Sequence, residues 1–315
     1  MSKILITGAT GFVGANLAHR LVSRGADVHI IMRASSDAWR IRDILPRLTV
    51  HKANLADTRA VARAVKKAQP EIVYHIAGPP HTLFTDQNVL TEMVVSNILG
   101  TIYLLEALRY SGSVERIVNV GSVMEYDSDE AWMQEYSLLR PANAYGASKA
   151  SQSLFAQYYA RFHKMPIVIV RPSLLYGPYE EARRLVPASI LAHLKQTPLK
   201  LSSPKPRKNF LFVEDALDAF ERAAECDVAP GEIINIGAGR EYSIKDVVTT
   251  VQRRMSTPVP LQWGAVEERR WDSARKHVYD VSKAKKILDW KAATTLDDGL
   301  ARTVEWFKRN RNLYL

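Results

Sequence analysis

Short runs of β-branched and aliphatic residues alternate with longer amphipathic stretches along the first half of the chain. Residues 3–6 and 28–32 predict two strands. Between them, residues 14–24 carry Leu17, Leu21 and Val22 at helical spacing, and Gly25 ends that helix. Apolar runs at 48–52, 72–77, 116–120 and 167–171 predict four more strands, the last closed by Pro172. Asp57 and Thr58 can cap a helix running to Gln69, and residues 88–110 and 144–163 predict two longer helices. Strand–helix alternation demands right-handed crossovers and a parallel sheet. The expected fold is α/β, a doubly wound parallel sheet of the Rossmann type, whose ligands sit at the carboxyl ends of the strands.

After Pro172 the rhythm breaks. Proline and loop residues accumulate through 202–206, then a helix at 214–225 and a strand at 233–236 rejoin the sheet pattern. From Tyr242 onward the pattern is mostly helical. The expected division is a dinucleotide-binding domain, residues 1–172 and 207–240, and a smaller substrate-binding lobe, residues 173–206 and 241–315. With 315 residues the chain is long enough for both.

The net charge of +10 admits a nucleic-acid surface or anionic small molecules. The basic clusters are short (Lys205-Pro206-Arg207-Lys208, Arg269-Arg270 and Lys308-Arg309-Asn310-Arg311), and no spaced exposed aromatics accompany them. Nucleic acid is therefore not an expected partner. The single cysteine, Cys226, cannot form an internal disulfide, and the first apolar run leads straight into a glycine turn, not into a cleavage site. No apolar stretch reads as long enough to span a bilayer. A cytoplasmic protein with no membrane partner and no metal is expected.

Candidate chemistry concentrates in two motifs. Gly8, Gly11 and Gly14 follow a strand and open a helix, as a turn that cradles a pyrophosphate does. Their spacing is G-x-x-G-x-x-G. The second strand ends in Met32-Arg33-Ala34-Ser35-Ser36, with a guanidinium and two hydroxyls where an acidic residue would take a ribose 2′-hydroxyl. That favours a 2′-phosphate, hence NADP(H), with NAD(H) the alternative. Tyr145 and Lys149 lie one helical turn apart. A tyrosine phenol titrates near 10, and a nearby ammonium favours phenolate, so Lys149 is expected to lower it for acid–base work. Ser122, at the end of the fifth strand, would hydrogen-bond the reacting oxygen.

Over nearly its whole length the chain resembles the extended short-chain dehydrogenase/reductases, the nucleotide-sugar epimerase/dehydratase group. The resemblance rests on Gly8/Gly11/Gly14, His75-Ile76-Ala77-Gly78, Asn97-x-x-Gly100-Thr101, Ser122 four residues before Tyr126, and Tyr145/Lys149. It extends to Arg171-Pro172 with Tyr176-Gly177-Pro178, Asn209-Phe210-x-x-Val213-x-Asp215, Asn235-Ile236-Gly237 and Leu288-Asp289-Trp290 near the end. The resemblance implies Ser122, Tyr145 and Lys149 as the catalytic set and a nucleoside-diphosphate sugar as substrate. It implies that Thr10, Phe12, Val13, Asn54, Leu55, Ile76, Ala77, Gly78, Asn97, Arg171 and Pro172 join the glycines, Arg33, Ser35, Ser36, Tyr145 and Lys149 around the cofactor. It likewise implies substrate contacts from His81, Ser122, Val123, Met124, Tyr145, Ser173, Arg184 and Val186. Arg207 and Lys208, and later Arg269 and Arg270, would take the diphosphate. A homodimer is expected through a helical bundle carrying Leu104, Leu105, Phe155, Tyr158 and Tyr159.

Departures narrow the activity. In 4,6-dehydratases of this group an acid stands two residues before the Tyr126 equivalent, sometimes with another before it; here Met124 and Val123 hold those places. The run Gly121-Ser122-Val123-Met124-Glu125-Tyr126 is similar to the G-S-x-x-E-Y stretch of GDP-4-keto-6-deoxymannose reductases. Asp127 replaces a usual glycine and Asn54 a common adenine-contacting aspartate. The leading expectation is NADPH-dependent reduction of the C4 keto group of a nucleotide-linked 4-keto-6-deoxyhexose. A NAD-dependent nucleotide-sugar 4-epimerase is the alternative. A non-catalytic dinucleotide-binding protein is a remote third, opposed by the intact Ser–Tyr–Lys set.

Overall fold

A computed structural model describes residues 2–79, 87–126, 132–267 and 278–315. Seven strands form one all-parallel sheet: β1 (Lys3–Thr7), β2 (Asp27–Met32), β3 (Thr49–Lys52), β4 (Ile72–His75), β5 (Arg116–Val120), β6 (Ile167–Pro172) and β7 (Glu232–Ile236). Their spatial order is β3-β2-β1-β4-β5-β6-β7. The order reverses between β1 and β4, and there Thr7 stands opposite His75. A sheet that reverses in this way opens a crevice at the carboxyl ends of those two strands.

Both faces of the sheet are covered, which is why its strands read as nearly continuous apolar runs. On one face Ile6, Ile30, Val118 and Val170 pack with Leu17 and Leu21 of the helix Phe12–Ser23 and with Leu217 and Phe220 of the helix Val213–Glu225. On the other, Leu5, Val73, Ile117 and Ile169 pack with Val61 and Val65, Leu104 and Leu105, and Ala156 and Tyr159. The fully buried His75 ties the reversal together. Its Nδ1 lies 2.7 Å from Thr7 Oγ1 and its Nε2 2.8 Å from Thr101 Oγ1. Burial, with Lys149 adding to it, pushes this imidazole down to about 3, so it stays neutral.

A separate apolar cluster lies beyond β6. The strand Leu174–Tyr176 pairs in parallel with Phe210–Phe212. Tyr176, Phe210 and Phe212 pack with Ile190, Val251 and Phe307 of the helices Leu185–Lys195, Ile244–Met255 and Leu296–Arg309. Ala284, Leu288 and Trp290 pack instead with the sheet cluster, and the Trp290 indole N–H donates to the Asp215 carbonyl oxygen at 3.0 Å. The last third of the chain thus contributes to both cores.

The third long helix departs from its sequence reading in two ways. It is α-helical over Gln87–Met93 and Gly100–Arg109, with a π-helical stretch at Val94–Leu99 between them. The run Val89–Arg109, with a mean hydropathy of 1.4, also matches a membrane span by length and composition, contrary to the expectation that no stretch does. Here its Leu104, Leu105 and Leu108 fill the sheet core.

Candidate active site

The glycine turn closes on itself tightly. A Cβ on Gly14 would stand 2.2 Å from the Gly8 carbonyl oxygen, so only glycine lets the helix Phe12–Ser23 start so near β1. Gly11 occupies the N-cap and supplies no side-chain cap. The first amides of this helix therefore keep their donors for another acceptor, and the helix dipole favours a negative one. A pyrophosphate has that chemistry, so these residues fit a dinucleotide.

The second half of the site is built on a 3₁₀ turn, Val123–Glu125, that follows β5. Ser122 caps it. Its Oγ accepts from Met124 N at 3.1 Å, while Glu125 Oε1 accepts from Ser122 N at 2.7 Å. This reciprocal capping fixes the serine backbone. The helix Ala144–Phe162 begins at the Asn143 cap and lies directly on the turn. A Cβ at Gly146 would sit 2.2 Å from the Met124 carbonyl oxygen. That approach brings Tyr145 to Ser122, and the phenol hydrogen-bonds the serine side chain.

Burial pushes the Tyr145 phenol up to about 12, and the nearby Glu125 adds to the shift; the Arg184 charge and the Ser122 hydrogen bond offset it only in part. The cation that draws the phenol down is therefore Arg184, not Lys149 as expected. Lys149 is itself 3% exposed. Its ammonium donates to the Val120 carbonyl oxygen at 2.5 Å and to Gln152 Oε1 at 2.7 Å, both neutral acceptors. Burial pushes it down to about 8, with Glu125 opposing. Gln152 Nε2 in turn donates to Asn119 Oδ1 at 2.9 Å.

A cavity of about 1090 Å³ runs along the carboxyl ends of the strands and joins these parts. The glycine turn with Thr10, Phe12 and Val13 lines it, as do Arg33, Ser35, Ser36, Asn54, Leu55, Ile76, Ala77 and Gly78. So do Ser122, Val123, Met124, Tyr145, Lys149, Pro172, Ser173, Arg184, Val186, Arg207 and Lys208. The half-exposed Arg33 sits 3.1 Å from Glu92 Oε1. His81, Arg269 and Arg270 lie outside the described residues.

Two residues expected against the cofactor stand elsewhere. Asn97 is fully buried behind Gly78, its Nδ2 donating to Ser148 Oγ at 2.9 Å. Arg171 is fully buried and ion-paired with Glu125, Nε to Oε2 at 2.8 Å, with its guanidinium over the Tyr126 ring. Neither lines the cavity. Arg171 is correctly seen as the counter-ion of Glu125: a buried carboxylate needs a paired cation, and this one supports the Ser122 turn from behind. Gln152, Asn119 and Glu180 escaped the sequence reading because no local pattern marks them. Glu125 was visible in its motif, but its partner is 46 residues away.

The model of the NAD dependent epimerase/dehydratase family matches residues 4–237. The chain is 29% identical over 332 residues to a probable dTDP-glucose 4,6-dehydratase of Sinorhizobium fredii, covering 98% of this chain and 93% of that protein. It is 28% identical over 319 residues to a trifunctional UDP-glucose 4,6-dehydratase/UDP-4-keto-6-deoxy-D-glucose 3,5-epimerase/UDP-4-keto-L-rhamnose-reductase of Arabidopsis thaliana. That match covers 98% of this chain, which spans about half the length of the plant protein (47%). Among solved structures, an epimerase of Methanothermobacter thermautotrophicus superposes with a TM-score of 0.88 at 26% identity, covering 99% of this chain and 94% of that one. A UDP-glucose 4-epimerase of Thermotoga maritima, at a TM-score of 0.89 and 22% identity over 98% of this chain and 99% of that one, shares the fold.

Proposed function

The chain belongs to the NAD dependent epimerase/dehydratase family, an enzyme family acting on nucleotide sugars, and on that premise we propose that it reduces the C4 keto group of a nucleoside-diphosphate 4-keto-6-deoxyhexose, using NADPH. The observation that carries this reading is the Ser122–Tyr145 pair beside a turn that presents Val123 and Met124, not carboxylates, to the cavity. Glu125, the acid of that turn, is committed to Ser122 N and Arg171. No group on this turn can therefore protonate a departing C6 hydroxyl, which argues against dehydration. A reduced nicotinamide, when bound, supplies the hydride.

The chain's own residues do the rest. Tyr145, protonated across the working pH range, donates its proton to the carbonyl oxygen as that oxygen gains charge. Ser122 holds the same oxygen by a hydrogen bond. Lys149 is oriented by two neutral acceptors and keeps a donor for a ribose hydroxyl. Arg184, Arg207 and Lys208 supply positive charge for the diphosphate. Arg33, Ser35 and Ser36 suit a 2′-phosphate, which favours NADP(H).

A second reading, a NAD-dependent nucleotide-sugar 4-epimerase, draws on Glu92. Its carboxylate already pairs with Arg33 and would oppose a 2′-phosphate. Denaturing the purified protein and weighing any released cofactor separates the two. Retained NAD supports the epimerase, whereas NADP(H) or none supports the reductase, and NADPH consumption with 4-keto sugar nucleotides then tests it directly. Tyr145→Phe is expected to cut that turnover by ~10²–10⁴-fold; unchanged turnover rejects the mechanism.

A homodimer belongs to the same proposal. Leu154, Phe155, Tyr158 and Phe162 stand exposed on the helix Ala144–Phe162, near Leu90, Val94 and Leu99 on the neighbouring helical run. Leu104, Leu105 and Tyr159, expected at that interface, are instead buried in the sheet core. Light scattering on Phe162→Glu should report monomers where the parent protein gives dimers.

A further inference from the structure

Glu180 is a buried carboxylate in the wall of the cavity, 4% exposed, to which neither the resemblance nor the proposed reaction gives a role. Three distant parts of the chain hold its backbone in place. Asn16 Nδ2 donates to the Pro178 carbonyl oxygen at 2.9 Å, Arg40 Nε to the Tyr179 oxygen at 2.8 Å, and the Tyr314 hydroxyl to the Glu180 oxygen at 2.8 Å. Tyr179 adopts a left-handed φ of +65° within this clamp, a conformation that costs a non-glycine residue free energy. The clamp brings the Glu180 carboxylate to Arg184. Glu180 Oε1 lies 3.5 Å from Arg184 Nε, and Oε2 has no hydrogen-bond partner among the described residues. Arg184 lines the same cavity, and its charge reaches Tyr145.

We propose that Glu180 is a positioning residue, an internal counter-ion that holds Arg184 until the pyrophosphate of a nucleoside-diphosphate sugar takes the guanidinium over, and that Glu180 then accepts a proton from solvent. This rests on the reading of the cavity as a nucleotide-sugar site. The physical argument is a balance of charge in a closed space. A buried carboxylate survives ionised while a cation faces it, and an incoming dianion competes for that cation. Burial already pushes the Glu180 carboxyl up to about 7, with Arg184 and the Gly177 backbone bond opposing. Weakening the Arg184 contact pushes it higher still. Among the described residues, the other charged and titratable groups facing this stretch include Arg40 and Tyr314, from the loop after β2 and from the C-terminus, His19 and Asp43 beside Tyr179, and the neighbouring Glu181, which itself sits 3.5 Å from Arg40. Arg40 is thus committed to Glu181 and to the Tyr179 carbonyl oxygen. Bonds balance: the Arg184 pair is exchanged from carboxylate to phosphate, and one solvent proton forms an O–H bond on Glu180.

Calorimetric titration of the whole protein with UDP-glucose, dTDP-glucose and GDP-mannose, in buffers of different ionisation heat, tests this without turnover. The pyrophosphate diester of these probes gains no proton near neutrality, so any uptake belongs to the protein. At pH 8 the parent protein is expected to take up nearly one proton per bound ligand. Glu180→Gln should lose the uptake and bind on the order of tenfold more tightly at that pH, because the variant no longer has to take up a proton when the ligand binds. Arg184→Met should lose both the uptake and most of the affinity. Binding without proton uptake in the parent protein, or uptake that persists in Glu180→Gln, overturns the proposal and leaves the nucleotide-sugar reading standing. Failure of all three probes to bind overturns both.

Discussion

Arg20 and Lys149 are both largely withdrawn from solvent, and they are kept in opposite ways. Arg20, on the helix Phe12–Ser23, meets three carboxylates of the neighbouring helix Val213–Glu225: Glu214, Asp218 and, at 2.9 Å, Glu221. Burial works against its charge, yet the hydrogen bonds it donates to those carboxylates overcome the penalty and hold the guanidinium above its usual range. Lys149, at the carboxyl end of the sheet, meets a carbonyl oxygen and an amide oxygen, and burial wins. The lesson is one of partner charge. A cation matched by anions locks two helices together and has nothing left to give. A cation matched by neutral oxygens stays available to a ligand and close to releasing its proton.

The contrast breaks most visibly in turnover. Lys149→Met is expected to lower kcat by ~10²–10⁴-fold with the fold intact, whereas Arg20→Met should leave kcat unchanged. Steady-state rates beside far-ultraviolet circular dichroism check both. If Arg20→Met lost turnover as severely, the division between locking and working cations would fail.

In stability the order reverses with pH. The folded Lys149 titrates near 8, below the 10.5 of an unhindered lysine, so its charged form burdens the fold. That burden is complete below pH 8 and is relieved as pH rises from 8 to 10.5. Across that window, urea unfolding should show the parent protein gaining on Lys149→Met by on the order of 3 kcal/mol. A raised arginine shows no such window, because its contribution is present at every workable alkaline pH. Arg20→Met should therefore cost about 1–2 kcal/mol uniformly from pH 7 to 10. The smallest expected effect is on cofactor affinity. It should weaken above pH 8 as Lys149 deprotonates, and Lys149→Arg should flatten that decline; fluorescence titration with NADPH measures it.

The sheet and the glycine turn could be read in advance because each is written locally. Alternating apolar runs of period 2 and 3.6, a capping aspartate and three glycines need no partner to be recognised. Tyr145 and Lys149 could be paired because four residues on a helix share a face whatever surrounds them. Glu180 could not be read in this way. It stands between a tyrosine and another glutamate in an unremarkable loop, and its clamp arrives from positions 16, 40 and 314. The sequence placed Arg171 beside the cofactor, but folding placed it against Glu125, because a carboxylate buried behind Ser122 needs a cation more than the cavity does.

By itself, then, the chain determined its elements, their order in a doubly wound sheet and the residue types at the ends of its strands. Periodicity and turn chemistry act between near neighbours, and right-handed crossovers leave few ways to join them. Only the tertiary structure decided which charges face each other. That choice set the state of three buried groups: Tyr145 kept protonated near Glu125, Lys149 held near 8 among neutral oxygens, and Glu180 poised near 7 against Arg184. Ionisation in a low-dielectric interior depends on a few ångströms of separation between residues far apart in sequence, and no local pattern records that distance.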